Sequence, residues 1–301
     1  MSETNPRVGE TVFLNGALLP ADQAAISVYD GGFLHGAGLF ETMRADYGRV
    51  FRLNDHIDRL IESAAKLGLP IERTDLPLTR DFEQLLVRNH LESARVRMTV
   101  TVGSVHPVYA RSGSPPLNVC VTAAGLTPVP QAVLTRGLDV VICPFRQSKH
   151  DPLAGHKTIN YLPRLMAMRS AQKLNCGEAL WFTPENLLAE GCISNVFVVR
   201  GGALYTPPLD TPVLPGVSRA VILEIAAERS IAAEEKPLNI NDVLDADEVI
   251  LCNSSLQVIP VCRIEKKEIG DGTPGAVARR LREWFIDKVK GELNTEAGSD
   301  G

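Results

Sequence analysis

The chain has no run of about 18 consecutive apolar residues, so a membrane-spanning helix is not expected. It also lacks a basic stretch followed by an apolar one at its start. Met1 to Glu10 is polar, no secretory leader is read there, and a cytoplasmic protein is expected. No C-x-x-C pair occurs. The six cysteines (120, 143, 176, 192, 252 and 262) are scattered, several within apolar stretches such as Val119-Cys120-Val121, which points to reduced and mostly buried thiols. No metal-ligand set is read from the sequence. Basic residues are not in excess: 31 Lys and Arg against 36 Asp and Glu give a net charge of −5, which argues against nucleic acid or an anionic membrane as partner. No internal repeat is present. The glycine-rich stretch Asp30 to Gly38 has the wrong spacing for a nucleotide-binding fingerprint, and it runs into a strand pattern instead of a helix.

What is present suits an ordinary soluble enzyme: 301 residues, 45% hydrophobic and 22% charged, enough chain for two compact domains. Val12-Phe13-Leu14 and Ala17-Leu18-Leu19 flank an Asn15-Gly16 turn and read as a β-hairpin. Glycine-rich loop 30–38 precedes a strand, Leu39 to Ala45, and a second, Val50 to Arg52. Asn54 is placed as the cap of a helix over 55–68, with Ile57, Leu60, Ile61, Ala64 and Leu67 at helical spacing and Gly68 closing it. A helix over 78–89 and alternating strands over 96–102 and 117–123 follow. Gly125 to Pro130 is the best linker, so the chain divides into residues 1–126, a small α/β domain, and 127–301, a larger one. The second domain is expected to hold a strand over 139–143, a helix to Asn175 kinked near Pro163, strands at 179–182 and 193–199, an amphipathic helix over 217–229, strands at 249–252 and 258–262, and a helix over 274–289. The polar tail from about Glu292 is expected to be disordered. The fold class is α/β (α+β).

Three stretches carry candidate chemistry. Lys157 stands between a glycine-containing loop and a helical pattern, with His150 and His156 nearby. Most lysines are solvated surface charges, but a lysine attacks carbonyls when burial or cationic neighbours favour its neutral amine. Glu190 lies at the edge of an apolar strand, with Ser194 and Asn195 placed to orient it. A pyridine cofactor needs such a carboxylate on its ring nitrogen, because the protonated ring then accepts electron density from the substrate's α-carbon. Leu214 to Arg219 is a loop, a glycine (Gly216) and a helix start, whose free N–H groups at Val217 and Ser218 suit a phosphate. Asn253-Ser254-Ser255 offers further donors, and Arg59 a guanidinium.

In this order, these motifs resemble the fold type IV, or class IV, pyridoxal-phosphate-dependent aminotransferases, a family that includes branched-chain aminotransferases, D-amino acid aminotransferases and aminodeoxychorismate lyases. The resemblance runs from about Val12 to Arg263. It rests on Phe40-Glu41-Thr42-Met43-Arg44, His56-Ile57-Asp58-Arg59-Leu60, His156 to Tyr161, Glu190 with Ser194-Asn195-Val196-Phe197, Leu214 to Arg219, and Asn253-Ser254-Ser255. It implies a small α/β domain followed by a larger pseudo-barrel domain with pyridoxal 5′-phosphate between them, in a homodimer. It also implies that Lys157 is the Schiff-base lysine and that Glu190 partners the pyridine nitrogen. Arg59, Val217, Ser218, Ser254 and Ser255 would hold the phosphate, and Tyr161 would approach the cofactor's phenolic oxygen. Phe40, Arg44 and Arg97 are the candidate substrate residues. The implied reaction moves an amino group between an amino acid, branched-chain or similar, and a 2-oxo acid. Lysis of aminodeoxychorismate to 4-aminobenzoate and pyruvate is the alternative, to which Phe-Glu-Thr-Met-Arg and Asn253 to Leu256 are similar. A D-amino acid aminotransferase and a non-catalytic cofactor-binding protein are further alternatives. Val102-Gly103-Ser104 stands where D-specific enzymes carry Thr-Arg-Gly, and Arg97 falls where branched-chain enzymes place an arginine. Substrate pockets are expected from loops such as Ser104 to Ser114.

Overall fold

The computed structural model describes residues 9–105 and 117–299, so most of the expected substrate loop lies outside the described residues. Two compact units are present. The first takes the described residues up to Pro128, together with His156–Asn160 and those from Lys290 onward; the second takes Val129–Gly155 and Tyr161–Val289. The lysine segment is thus a short strip of chain built into the first unit.

In the first unit, β1 (Thr11–Leu14) and β2 (Ala17–Pro20) form the hairpin, with Asn15 and Gly16 both at positive φ (50° and 90°), as a tight turn between twisted strands requires. Then come α1 (Gly31–His35), β3 (Gly38–Asp46), β4 (Arg49–Val50), α2 (Leu53–Leu67), α3 (Thr79–Arg88), β5 (Ala94–Thr101) and β6 (Asn118–Gly125). The six strands make one antiparallel sheet in the order β2-β1-β6-β5-β3-β4. Alternation divides its faces. Leu39, Met43, Val96, Met98 and Val100 join Ile57, Leu60, Phe82 and Leu85 of the two longer helices in one core. Phe40, Arg44 and Arg97 fall on the opposite face.

The second unit contains α4 (Gln131–Arg136), β7 (Leu138–Arg146), α5 (Leu162–Lys173), β8 (Glu178–Phe182), β9 (Leu188–Gly191), β10 (Asn195–Arg200), β11 (Ala203–Thr206), α6 (Val217–Glu228), β12 (Ala233–Glu235), α7 (Ile240–Leu244), β13 (Glu248–Asn253), β14 (Gln257–Ile264), β15 (Lys267–Glu268) and the start of α8 (Ala276–Ser299). Its sheet is mixed, in the order β12-β11-β10-β13-β14-β7-β8-β9, with β15 beside β14. The connection from β9 to β10 forces this sheet to curl. Laid flat, five strand spacings would separate the two by about 24 Å. The four Cα steps from Gly191 to Asn195 reach about 15 Å at most. The Gly191 N–H donates to the Ser194 carbonyl at 2.7 Å, closing the curl with a tight turn.

Several local expectations need correction. The glycine-rich loop contains α1, because the Asp30 carboxylate caps it by accepting from Gly32 N (2.8 Å) and Phe33 N (3.2 Å). Helix α2 is capped by Arg52 in the left-handed region (φ 53°) and not by Asn54, which is already inside it. Pro163 does not kink α5. It lies in the first turn, where its missing N–H has no helical partner to lose. Helix α6 buries one side, Val217, Ser218, Arg219, Val221, Ile222, Ile225 and Ala226, and that side includes the polar Ser218 and Arg219. The tail is not disordered from Glu292. Helix α8 continues to Ser299, with Leu293 buried and Glu292 paired to Arg52 at 2.6 and 2.7 Å.

Candidate active site

In the first unit the lysine strip is pinned along its length. Lys157 O accepts from Phe40 N (2.9 Å), Thr158 bridges Leu39, and Ile159 N donates to Gly38 O (3.1 Å). The strip acts as an extra strand on the edge of β3 that β4 leaves uncovered. The Nδ1 of His156 meets Ser63 Oγ at 2.9 Å, and Asn160 Nδ2 donates to Gly36 O at 2.9 Å. A half-buried Lys157 therefore has its backbone fixed on both sides. Its Nζ lies 4.6 Å from the Phe40 ring centroid, and the Arg97 guanidinium carbon lies 3.7 Å from the same centroid. Register explains this grouping. Arg97 stands opposite Thr42 and Thr99 opposite Phe40, so all four share a face, and Arg97 Nε donates to Thr99 Oγ1 at 3.2 Å. Arg44 is four residues further along β3, about 14 Å from Phe40. There its guanidinium pairs with Asp46, at 3.2 Å between Nη2 and Oδ1. Of the three candidate substrate residues, Phe40 and Arg97 are brought to Lys157, and Arg44 is engaged elsewhere.

Beneath that face, Arg59 is buried and its Nε donates to the Glu41 carboxylate at 2.8 Å, with a second bond from Nη2. The His56 Nδ1 meets the same carboxylate at 2.9 Å. Burial pushes the Glu41 carboxyl up, but the Arg59 charge and the His56 and Arg59 hydrogen bonds outweigh it and hold it at about 2. Burial lowers His56, more than Glu41 restores it, so the imidazole is neutral and its Nδ1–H donates to the carboxylate. Helix α2 places His56, Arg59 and Ser63 on its buried face at i, i+3 and i+7, three polar side chains in an otherwise apolar stripe. That spacing was a readable signal. Sequence reasoning used Arg59 alone, and Glu41, His56 and Ser63 were assigned no role.

In the second unit Glu190 is the next-to-last residue of β9 and is buried. Its Oε1 accepts from Gln147 Nε2 (3.1 Å) and from Arg164 Nη2, and its Oε2 from Leu214 N (3.0 Å). Arg164 and Gln147 were missed. They reach Glu190 from elsewhere in the sheet layer, and no motif spacing announces them. Ser194 and Asn195, expected to orient Glu190, spend their side-chain donors on other groups. Ser194 Oγ donates to Glu178 Oε2 (2.9 Å), and Asn195 Nδ2 to Leu214 O (2.9 Å). Glu178, a further buried carboxylate, also accepts from Ile193 N (2.7 Å), and burial outweighs its hydrogen bonds and the Arg164 charge and pushes it up to about 7. Burial likewise raises Tyr161 to about 12, so its hydroxyl keeps its proton and donates to Cys192 O at 3.0 Å.

At the start of α6, Gly216 is the cap residue and makes no side-chain cap, so the first N–H groups of a twelve-residue helix have no intrahelical or capping partner. Ser218 is buried in that turn, and the buried Nε of Arg219 has no hydrogen-bond partner among the described residues. A Cβ on Gly216 would stand 1.9 Å from Asn195 Oδ1, so only glycine lets the loop approach so closely. These donors fit a phosphate. At the other turn, the Asn253 side chain accepts from the N–H groups of Ser255 (3.0 Å) and Leu256 (2.7 Å), so those two amides are spent within the turn. All six cysteines are free, four of them buried. Among the described residues no cluster of His, Cys, Asp and Glu could hold a metal, and no helix is long and apolar enough to cross a membrane.

The chain is similar to known proteins in sequence and in fold. The amino-transferase class IV family matches residues 38–264. A Methanocaldococcus jannaschii protein provisionally named a branched-chain-amino-acid aminotransferase is 32% identical over 92% of this chain and 95% of its own. A D-alanine aminotransferase of Staphylococcus haemolyticus is 31% identical over 91% and 96%. The crystal structure of the T.th. branched-chain amino acid aminotransferase with pyridoxamine 5′-phosphate superposes with a TM-score of 0.84 at 26% identity, covering 94% of this chain and 95% of that one. The chain belongs to the class IV aminotransferases, enzymes that work with pyridoxal 5′-phosphate.

Proposed function

We propose that the protein moves an amino group between an L-amino acid, branched-chain or similar, and a 2-oxo acid. The observation that carries the reading is that the Lys157 amine and the Arg97 guanidinium both approach the Phe40 ring, at 4.6 and 3.7 Å from its centroid, an amine for the aldehyde and a guanidinium suited to a carboxylate. Pyridoxal 5′-phosphate, when bound, supplies an aldehyde for amine exchange and a ring that accepts electron density from the substrate's α-carbon. Lys157 would hold the cofactor through its Nζ and, once released, would move a proton at the substrate's α-carbon. Glu190 would face the pyridine nitrogen and favour its protonated form. The N–H groups of Val217 and Ser218, freed at Gly216, grip the phosphate with Arg59 and the hydroxyls of Ser254 and Ser255. Tyr161, Ser194 and Asn195 steady the turn that follows Glu190, and Arg97 reads the substrate carboxylate.

A second reading, transamination of D-amino acids, is favoured by the similarity to D-alanine aminotransferases. The protein is proposed to act as a cytoplasmic homodimer. The strongly exposed Val28 and Phe33 support a partner surface on the first unit.

The test is a half-reaction screen of the cofactor-loaded protein against L- and D-amino acids and aminodeoxychorismate. Bleaching of the cofactor's visible band by branched-chain L-amino acids is the expected result. Bleaching by D-alanine alone overturns it in favour of the second reading. Borohydride reduction followed by peptide mapping is expected to place the cofactor on Lys157, and Lys157→Ala to cut turnover at least about 10³-fold.

A further inference from the structure

Glu190 is half of an ion pair whose other half has an unusually restricted setting. Arg164 stands in the first turn of α5. While its Nη2 pairs with Glu190, its Nη1 donates to Gly191 O and Cys192 O, each at 3.0 Å. Its guanidinium carbon lies 5.8 Å from the Tyr161 ring centroid and 5.7 Å from that of Trp181. A brace for the β9–β10 turn needs only the two carbonyl bonds. Beyond them, Nη2 reaches Gln147 Oε1 at 3.4 Å and makes a shorter bond to the carboxylate, and burial fails to lower the guanidinium because Glu190 holds it above its usual value.

The acceptor inventory of Glu190 shows what this does. Each carboxylate oxygen offers about two lone-pair positions. Arg164 and Gln147 take those of Oε1, and Leu214 N takes one on Oε2. One position on Oε2 remains for a proton donor, which on the functional reading above is the ring nitrogen of the cofactor. A carboxylate already paired with a permanent cation stabilises a protonated ring less than an unpaired one does, and the guanidinium also repels the ring's positive charge. We propose that Arg164 is a positioning residue that fixes Glu190 and limits how tightly the cofactor's ring nitrogen holds its proton, and so how strong an electron sink the ring becomes.

The test uses the full protein loaded with pyridoxal 5′-phosphate carrying ¹⁵N in the ring, with the nitrogen resonance followed against pH in the parent, Arg164→Met and Arg164→Lys. Arg164→Met is expected to raise the pH at which the ring nitrogen loses its proton by about one unit or more. Arg164→Lys, which keeps the charge, is expected to stay near the parent. An unmoved resonance in Arg164→Met, or equal shifts in both variants, overturns the proposal and leaves Arg164 a brace. If Arg164→Met does not fold, Arg164→Gln replaces it. Should neither neutral variant hold the cofactor while Arg164→Lys does, Arg164 serves binding rather than tuning, and the proposal is wrong. A parent protein that never takes up the cofactor defeats the functional reading itself, and this inference with it.

Discussion

At the scale of single residues, two fully buried glutamates differ in what burial is set against. Glu41 is paired directly with a guanidinium and is held at about 2; Glu178 has backbone N–H groups, a hydroxyl and the more distant charge of Arg164, which do not offset burial, and it is pushed up to about 7. Their consequences for stability have opposite signs. Glu41 sits below its unfolded value near 4.5, so its contribution is present above that pH and is lost as pH falls toward 2. Glu178 sits above its unfolded value near 4.5, so between that pH and about 7 the folded state binds a proton that the unfolded state has released. Stability falls as pH rises through this window, by roughly 3 kcal/mol at most. Glu178→Gln is expected to flatten that slope, because the amide cannot ionise yet still accepts from Ile193 N. Melting curves of parent and variant between pH 5 and 8 measure it. Parallel curves would show that Glu178 is ionised throughout.

At the scale of elements, the start of α6 is set by space rather than by conformation. Gly216 has φ −71°, which alanine adopts readily, so the cost of a side chain there is steric. Gly216→Ala drives a methyl group into Asn195 Oδ1 and disturbs its bond to Leu214 O, an overpacking cost of about 1–3 kcal/mol. Because the same turn carries the proposed phosphate donors, the variant is expected to weaken cofactor affinity at least about tenfold in a fluorescence titration. Unchanged affinity would separate this helix start from the cofactor site.

Legibility in the sequence follows the same division. The hairpin at Asn15-Gly16 and helix α2 were readable because turn chemistry and a 3–4 apolar spacing are local. Lys157 and Glu190 stood out as candidates because their neighbours form ordered motifs. Arg164, Gln147 and Glu178 were not, since their roles exist only once the curled sheet brings β7, β8 and the start of α5 against the β9–β10 turn. The caps also misled. Asn54 is a better cap residue by type than Arg52, yet the chain leaves β4 in a left-handed turn that starts the helix earlier.

At the scale of the whole molecule, the first unit is assembled from three separated stretches: the described residues up to Pro128, the lysine strip, and the end of α8. The last of these is the part the polar composition makes look dispensable. Leu293 is 2% exposed, and its burial contributes about 2 kcal/mol. Glu292 meets Arg52 through two bonds, in a pair whose side chains are 29% and 22% exposed, which adds about 0.5–1 kcal/mol after solvent screening. Arg52 is also the residue that starts α2, the helix carrying His56, Arg59 and Ser63. Loss of Glu292 therefore loosens the entry to that helix as well as the end of α8. Deleting residues 290–301 is expected to lower Tm by about 5 °C or more, while Leu293→Ala with the rest of the chain intact reproduces most of the drop. A deletion that melts within about 1 °C of the parent would mean that the end of α8 adds nothing to the first unit, and that the tail is as dispensable as its composition suggests.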